Sequence, residues 1–255
     1  MIDTNVSIGP WPFRRFPGDT PSDLIARLRK RGVTQAWSGS FEGVFHRDLS
    51  SANARLAKAC EGPGAGFLLP FGSINPQAPG WQEDLRRCHE LHKMPGIRLH
   101  PGYHGYTLAD SGFRAVLTAA RDRKMVVQLV LNLEDERAQH PLMRVPSVDP
   151  GPLQGVLRNL PGLRLVVLNR MRAPAGQALA ELAKAGEVYF DLAMIEGVGC
   201  AADLMGLVTP QRVVFGSHSP FQYFESALLK MKESGITGDP QTAILMGNAQ
   251  RLMRR

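Results

Sequence analysis

The sequence predicts a single α/β domain, a parallel (β/α)8 TIM barrel spanning residues 1–255, and three observations lead there. Short apolar runs rich in β-branched residues alternate with amphipathic helical segments along the chain, the pattern of a parallel sheet covered by helices. Eight such runs can be counted, the number that closes a barrel, and a length of 255 residues suits one barrel. An open doubly wound sheet is the rival arrangement. No Gly-x-Gly-x-x-Gly follows a strand, so the signature of a dinucleotide site is missing.

Each element has its own justification. Residues 2–8 form a first strand. Asp19-Thr20-Pro21 caps a helix over 22–31, with Pro in its first turn and Gly32 just past its end. Strand two covers 33–38, and the Ala-rich segment 50–60 is its helix. Strand three, 66–74, precedes a helix over 81–93; strand four, 96–100, precedes one over 110–124. Strand five, 125–131, leads through a long loop to a helix over 152–160. Strand six is 163–169, with a helix over 177–185, and strand seven is 188–193. The stretch Arg212-Val-Val-Phe-Gly-Ser-His-Ser-Pro220 carries strand eight over 213–215, a buried run that stops at Gly216 and releases polar side chains into a loop. Helices over 221–233 and 240–253 complete the chain.

Composition narrows the functional classes. An apolar share of 44% and a charged share of 21% are those of an ordinary globular protein. No run approaches the roughly 18 apolar residues of a membrane span, and the first residues lack a basic segment followed by an apolar one. Cys60, Cys88 and Cys200 are widely spaced and form no metal-type pair. A reduced, cytoplasmic protein is expected. The net charge of +7 comes from Arg and Lys scattered over helical segments, with no nucleic-acid motif among them. No nucleic-acid or membrane partner is therefore expected; the fold is compatible with a homo-oligomer. A basic pocket for a small anionic molecule explains the charge more economically.

Three long loops, 9–19, 101–109 and 133–149, leave the carboxyl ends of strands, where barrel enzymes place their sites. His218, just past strand eight, titrates near neutral pH and is the candidate for proton transfer; the competing reading is a structural loop histidine. After strand four come His100, Tyr103, His104 and Tyr106, interleaved with Gly, which suits either ligand contact or an aromatic plug. Arg98 lies two residues before His100 on the same strand face and would need an acidic or anionic partner inside. After strand five, Glu134-Asp-Glu-Arg137-Ala-Gln-His140 offers Arg137 as a carboxylate clamp and His140 as a neighbour, or else a surface loop with internal ion pairs. Asp191 is a polar residue inside an apolar strand, which a surface position fits badly. Glu196 follows it.

In the order and spacing of these strand ends, the chain resembles the amidohydrolase family, in its amidohydrolase-2 branch of metal-dependent hydrolases and decarboxylases. The family's opening Asp-x-His-x-His stands here as Asp3-Thr4-Asn5-Val6-Ser7. Gly96-Ile97-Arg98-Leu99-His100-Pro101 matches its fourth-strand pattern. Gln128 and Asn169 occupy the histidine positions of strands five and six. The last-strand motif Gly-Ser-Asp-x-Pro is kept at Gly216, Ser217 and Pro220, but its metal-binding Asp is His218.

The resemblance therefore implies the barrel together with a dismantled metal site. Amides and a hydroxyl are poor zinc ligands and cannot lower a bound water's pKa as a metal does. They can form a polar pocket around a ligand. No cofactor is expected; a rewired divalent site from His100, His104, His140 and His218 with Asp191 is the less favoured option. The expected function is metal-independent hydrolysis of a small, carboxylated lactone, ester or amide. His218 would carry the proton, with Asn5, Gln128 and Asn169 polarising the reacting group and Arg98 or Arg137 holding an anionic substituent. Ser7, His100, His104, His140 and Asp191 would complete the substrate pocket. The rival is a barrel that binds a small molecule without turning it over.

Overall fold

A computed structural model of the chain describes residues 1–254. Eight parallel strands hydrogen-bond in sequence order: β1 (Ile2–Ile8), β2 (Gln35–Ser40), β3 (Leu68–Ser73), β4 (Gly96–Leu99), β5 (Val126–Val130), β6 (Arg164–Leu168), β7 (Glu187–Asp191) and β8 (Val213–Val214). The backbone N–H of Thr4 donates to Phe215 O, and that of Ser7 to Ser219 O, which brings the β8 end back onto β1 and closes the barrel.

Around the barrel run α1 (Pro21–Lys30), α2 (Glu42–Phe45), α3 (Leu49–Glu61), α4 (Trp81–Arg86), α5 (Pro101–His104), α6 (Ser111–Asp122), α7 (Leu153–Arg158), α8 (Gly176–Lys184), α9 (Cys200–Val208) and α10 (Phe224–Glu233). α11 (Gly238–Thr242) and α12 (Asn248–Met253) follow, joined by a π-helical turn, Ala243–Gly247. Thr20 caps α1 by accepting from the Asp23 N–H, with Pro21 in the first turn.

The strands are buried on both faces, and the period of two sorts their side chains. Val127 and Leu129 of β5 pack outward with helix residues such as Val116 and Leu117. Val126 and Val130 point the other way and join Val166, Tyr189, Val214, Trp37 and Phe71 in the second apolar cluster, inside the barrel. Trp37 stacks on Phe71 there, with ring centroids 5.1 Å apart. The barrel's lower half is therefore a mainly apolar core, closed at its amino end by Arg164, whose buried guanidinium donates to Leu252 O and Lys124 O, and most of the interior polar side chains lie in its upper half.

Several elements differ from the sequence reading. Helix α9 between β7 and β8 gave no sequence signal, because Gly197 and Gly199 immediately precede it and Gly206 interrupts its apolar pattern. The loop over 101–109 is not structureless; it begins with the single turn α5. The helix expected over 221–233 starts three residues later, at Phe224, and β8 is one residue shorter than expected. The loop over 133–149 has no regular element, as expected. Among the described residues no helix is long and apolar enough to cross a membrane. The three cysteines are buried and free.

Candidate active site at the carboxyl end of the barrel

Arg98 dominates the barrel's upper interior, with 1% of its surface exposed. Its Nε–H donates to Gln128 Oε1 at 2.8 Å, Nη1 to Val6 O at 2.8 Å and Ser7 Oγ at 3.1 Å, and Nη2 to Trp37 O at 3.2 Å. All these partners are neutral oxygens, so the carboxylate expected beside it is not in direct contact. Asp3 and Asp191 act on it from farther away. Burial pushes the guanidinium pKa down, to about 9, while these two carboxylates oppose the shift. The group remains charged at neutral pH. Gly39 makes room for it: a Cβ there would stand 2.7 Å from Nη1 and 2.9 Å from Cζ. A glycine inside a strand signals such a close approach, and this one passed unread in the sequence.

The two carboxylates are held by hydrogen bonds rather than by ion pairs. Asp3 Oδ1 accepts from the N–H of Asn5 and of Ser217, and Oδ2 accepts from the Ser217 hydroxyl. Asp191 accepts from Asn5 Nδ2 at 2.7 Å and from the Asn169 N–H at 2.9 Å. Burial outweighs these bonds and raises both pKa values, Asp3 to about 7 and Asp191 to about 6. Asp3 was not among the expected site residues. The alternation Asp3, Asn5, Ser7 puts all three on one strand face, and that was the available signal.

Asn5, Gln128 and Asn169 do converge, but on protein partners. Asn5 Nδ2 also donates to Asn169 Oδ1, and Gln128 Nε2 to Thr4 O. His218 Nε2–H donates to Leu133 O at 2.8 Å, which leaves Nδ1 as the acceptor facing Asn169 Nδ2 at 3.4 Å. The His218 ring lies flat on Phe221, 5.1 Å away. Burial drives its pKa down, to about 4, so the ring is neutral. Both Asn169 and His218 have positive φ, 57° and 56°. For a histidine that is an uncommon conformation, and such backbone tends to be held in place at functional sites.

Above this layer is an aromatic mouth. Trp11 meets Phe41, Phe45, Tyr103 and Phe221 at centroid distances of 4.8 to 6.2 Å. His100 lies beneath, its ring 5.8 Å from that of His104. Neither nitrogen of His100 has a protein partner, and the same holds for Trp11 Nε1, Tyr103 Oη and His104 Nδ1, all of them buried. His104 Nε2–H donates to Gly43 O. Burial, reinforced by competition with the His104 and His218 rings for a proton and by the Arg98 cation, keeps the His100 pKa well below its ordinary value. The loop after β5 covers this histidine: Leu133, Glu134, Gln139 and Val145 line a cavity of about 10 Å³ with His100 and Tyr103. That is room for about one water.

Arg137 and His140 lie outside the interior group. Arg137 has a side chain 73% exposed and pairs with Asp135 and Glu196, the surface-loop arrangement. His140 stacks on Phe13 at the rim. From the same rim, Arg14 pairs with the buried Glu134 at 3.1 Å.

The side chains present do not fit a divalent metal. Ser7 Oγ and Gln128 Oε1 accept from the Arg98 cation, whose charge would repel a second cation beside it. His104 Nε2–H is given to Gly43 O, His140 stacks on Phe13 at the rim, and His218 is committed to Leu133 and Asn169. Among the described residues no group of three His, Cys, Asp or Glu is placed to share an ion.

Comparisons with known proteins agree with this architecture. No curated protein matches the chain in sequence. The chain superposes on 2,6-dihydroxybenzoate decarboxylase from Rhizobium with a TM-score of 0.74 and 14% identity, covering 99% of each chain. A probable 2-pyrone-4,6-dicarboxylic acid hydrolase from Acinetobacter baumannii, with citric acid bound, gives 0.68 and 13%, covering 99% of this chain and 98% of that one. A dihydroxybenzoic acid decarboxylase from a Polaromonas species, with bound manganese and the inhibitor 2-nitroresorcinol, gives 0.71 and 11%, covering 99% and 97%. At such identities the likeness is one of fold. The family model for amidohydrolases matches residues 9–255, nearly the whole barrel, and by that match the chain belongs to the amidohydrolase family.

Proposed function

We propose that the chain hydrolyses a small carboxylated compound, a lactone, ester or amide, at the aromatic mouth of the barrel and without a metal. The observation that carries this reading is the set of buried polar atoms at the mouth that lack protein partners: both nitrogens of His100, Tyr103 Oη, Trp11 Nε1 and His104 Nδ1. Leaving a buried donor or acceptor unsatisfied costs about 1–3 kcal/mol. Five such atoms under one aromatic roof mark a place for a polar ligand. The bound carboxylates and carboxylic acids of the structural relatives are of the same chemical class.

In this reading His100 carries the proton in place of His218. His100 is neutral with both nitrogens free, so it can take a proton from water as the water oxygen attacks the carbonyl, then deliver it to the leaving oxygen or nitrogen. A bound substrate carboxylate would raise its depressed pKa towards neutrality. Arg98 supplies a fixed positive charge below the site, and Asn5, Gln128 and Asn169 hold that charge and the two carboxylates in place. His218 anchors the covering loop through Leu133. Entry of substrate requires that loop to move, since the cavity over His100 is no larger than a water.

The test is a hydrolysis screen of carboxylated lactones and aryl esters with chelator-treated protein. His100→Gln should abolish turnover with the melting temperature kept, and His218→Asn should alter KM more than kcat. Full activity in His100→Gln would end this assignment. One observation favours a second reading, binding without turnover: Asn5 gives its Nδ2 hydrogens to Asn169 and Asp191, and Gln128 is bonded to Arg98 and Thr4, so both amides are engaged within the protein. A ligand that raises the melting temperature yet yields no product over long incubation would establish that reading instead.

A further inference from the structure

A second cavity, outside the barrel, carries an independent inference. It occupies about 350 Å³ between α1, the loop after β1 and the loop after β8, a volume at the small end of ligand pockets. Phe16, Phe221 and Phe224 supply flat apolar walls, and Leu24 and Leu28 the floor. Arg14, Arg27 and Arg31 stand among these, against Glu225 as the acidic lining residue. Guanidinium and ring alternate around it: Arg14 lies 4.8 Å from the Phe16 ring centroid and 5.5 Å from that of Phe221, and Arg31 lies 5.7 Å from that of Phe224. The other face of Phe221 stacks on His218, so this ring separates the cavity from the barrel interior.

We propose that this cavity binds a small arylalkyl carboxylate, its ring against the touching pair Phe16 and Phe221, whose centroids are 4.8 Å apart, and its carboxylate on the guanidinium groups of Arg27 and Arg31. The arginines have ordinary surface ion pairs, Arg27 with Asp23 and Arg31 with Glu225. Such pairs are worth about 0–1 kcal/mol, so an entering carboxylate can displace one without a large loss. Each lining arginine already faces one carboxylate (Arg14 with Glu134, Arg27 with Asp23, Arg31 with Glu225), so an anion binds by taking a guanidinium over from such a pair, a bond stronger than a neutral amide can make. Offset and edge contacts with the phenylalanines favour an aromatic ring over an equally apolar chain. The proposal does not depend on hydrolysis at the barrel mouth.

Isothermal titration calorimetry with 3-phenylpropionate and its neutral isostere 3-phenylpropanamide tests it, on the full chain. The acid should bind at least about tenfold more tightly than the amide, the worth of one charge-assisted hydrogen-bond set. Arg27→Gln/Arg31→Gln should remove that preference, and Gln222→Trp, which fills the cavity, should abolish binding of both. All these positions are partly exposed, and the melting temperature reports whether each variant is folded. Absence of binding, or equal affinity for acid and amide, overturns the proposal. So does acid binding that survives Arg27→Gln/Arg31→Gln but is lost in His100→Gln, which would place the ligand at the barrel mouth.

Discussion

The Nε–H of Arg98 donates to Oε1 of Gln128 across 2.8 Å in the barrel interior, both residues cut off from water. Two adjacent strands, β4 and β5, thereby place a permanent cation at the centre of the site. Replacing it with a neutral side chain leaves Gln128, Ser7 and two backbone carbonyls without their donor and removes the positive charge that faces Asp3 and Asp191. Arg98→Met should cost about 3–5 kcal/mol in urea unfolding. Added manganese or zinc should not restore the loss, because the oxygens released are amide, hydroxyl and carbonyl groups. A metal-dependent recovery of stability would refute the misfit described above.

Gly39 is predicted to be irreplaceable for a steric reason. Gly39→Ala would put a methyl group 2.7 Å from Arg98 Nη1, and overpacking of this kind costs about 1–3 kcal/mol. Gly206→Ala is the control. That glycine lies in α9 with open space where a Cβ would go, so the change should be neutral or stabilise by up to about 1 kcal/mol. Chemical denaturation of both variants checks the pair.

The Asp3 carboxyl sets a pH dependence. Its folded pKa, about 7, lies above the ordinary 3.8, so between these values the folded chain keeps a proton that the unfolded chain has lost. Stability from this group is therefore present at low pH and falls as pH rises through that window, levelling off above about 7. His218 works in the opposite sense: its folded pKa, about 4, lies below 6.5, so its contribution falls as pH drops from 6.5 towards 4. Asp3→Asn removes the first effect alone. The melting temperature of the variant relative to the parent should climb from pH 4 to pH 7, and a flat difference would refute the assignment.

The bond from His218 Nε2 to Leu133 O ties the loop after β5 to the loop after β8. His218→Ala should loosen residues 133–149 and leave the barrel intact. Hydrogen exchange should show lower protection at Met143 and Val145, whose N–H groups donate within this region to His140 O and Gln139 Oε1, with β4 and β6 unchanged. Uniform loss of protection across the barrel would mean that His218 supports the whole fold instead.

The contrast between residues legible in sequence and those that were not has a physical basis. Strands β5 and β6 are β-branched and aliphatic apart from Gln128 and Arg164, and a run covered on both faces carries its own signal. Helix α9 spans nine residues with Gly206 in its second half, so its helicity depends on packing against α8 and α10. Asn5, Gln128, Asn169 and Asp191 stood out as polar residues at strand ends, and they do meet at the barrel centre. Arg137 shared their sequence context yet points to solvent. Sequence position places a residue at a strand's end but does not choose the direction of a loop side chain.

The sequence by itself determined the parallel barrel and the polar character of its carboxyl end, where it sets amides, a hydroxyl and an imidazole at Asn5, Gln128, Asn169, Ser7 and His218. Strand periodicity and residue chemistry are local properties, so those conclusions needed no coordinates. Tertiary structure alone decided how the polar groups are used. It spends Asn5 and Gln128 on holding Asp191, Arg98 and the backbone, binds His218 to Leu133, and leaves His100 with both nitrogens free. Those outcomes depend on which side chains from β1, β4, β5, β6 and β7 arrive within 3 Å of one another, a matter of barrel closure and register that no single stretch of sequence encodes.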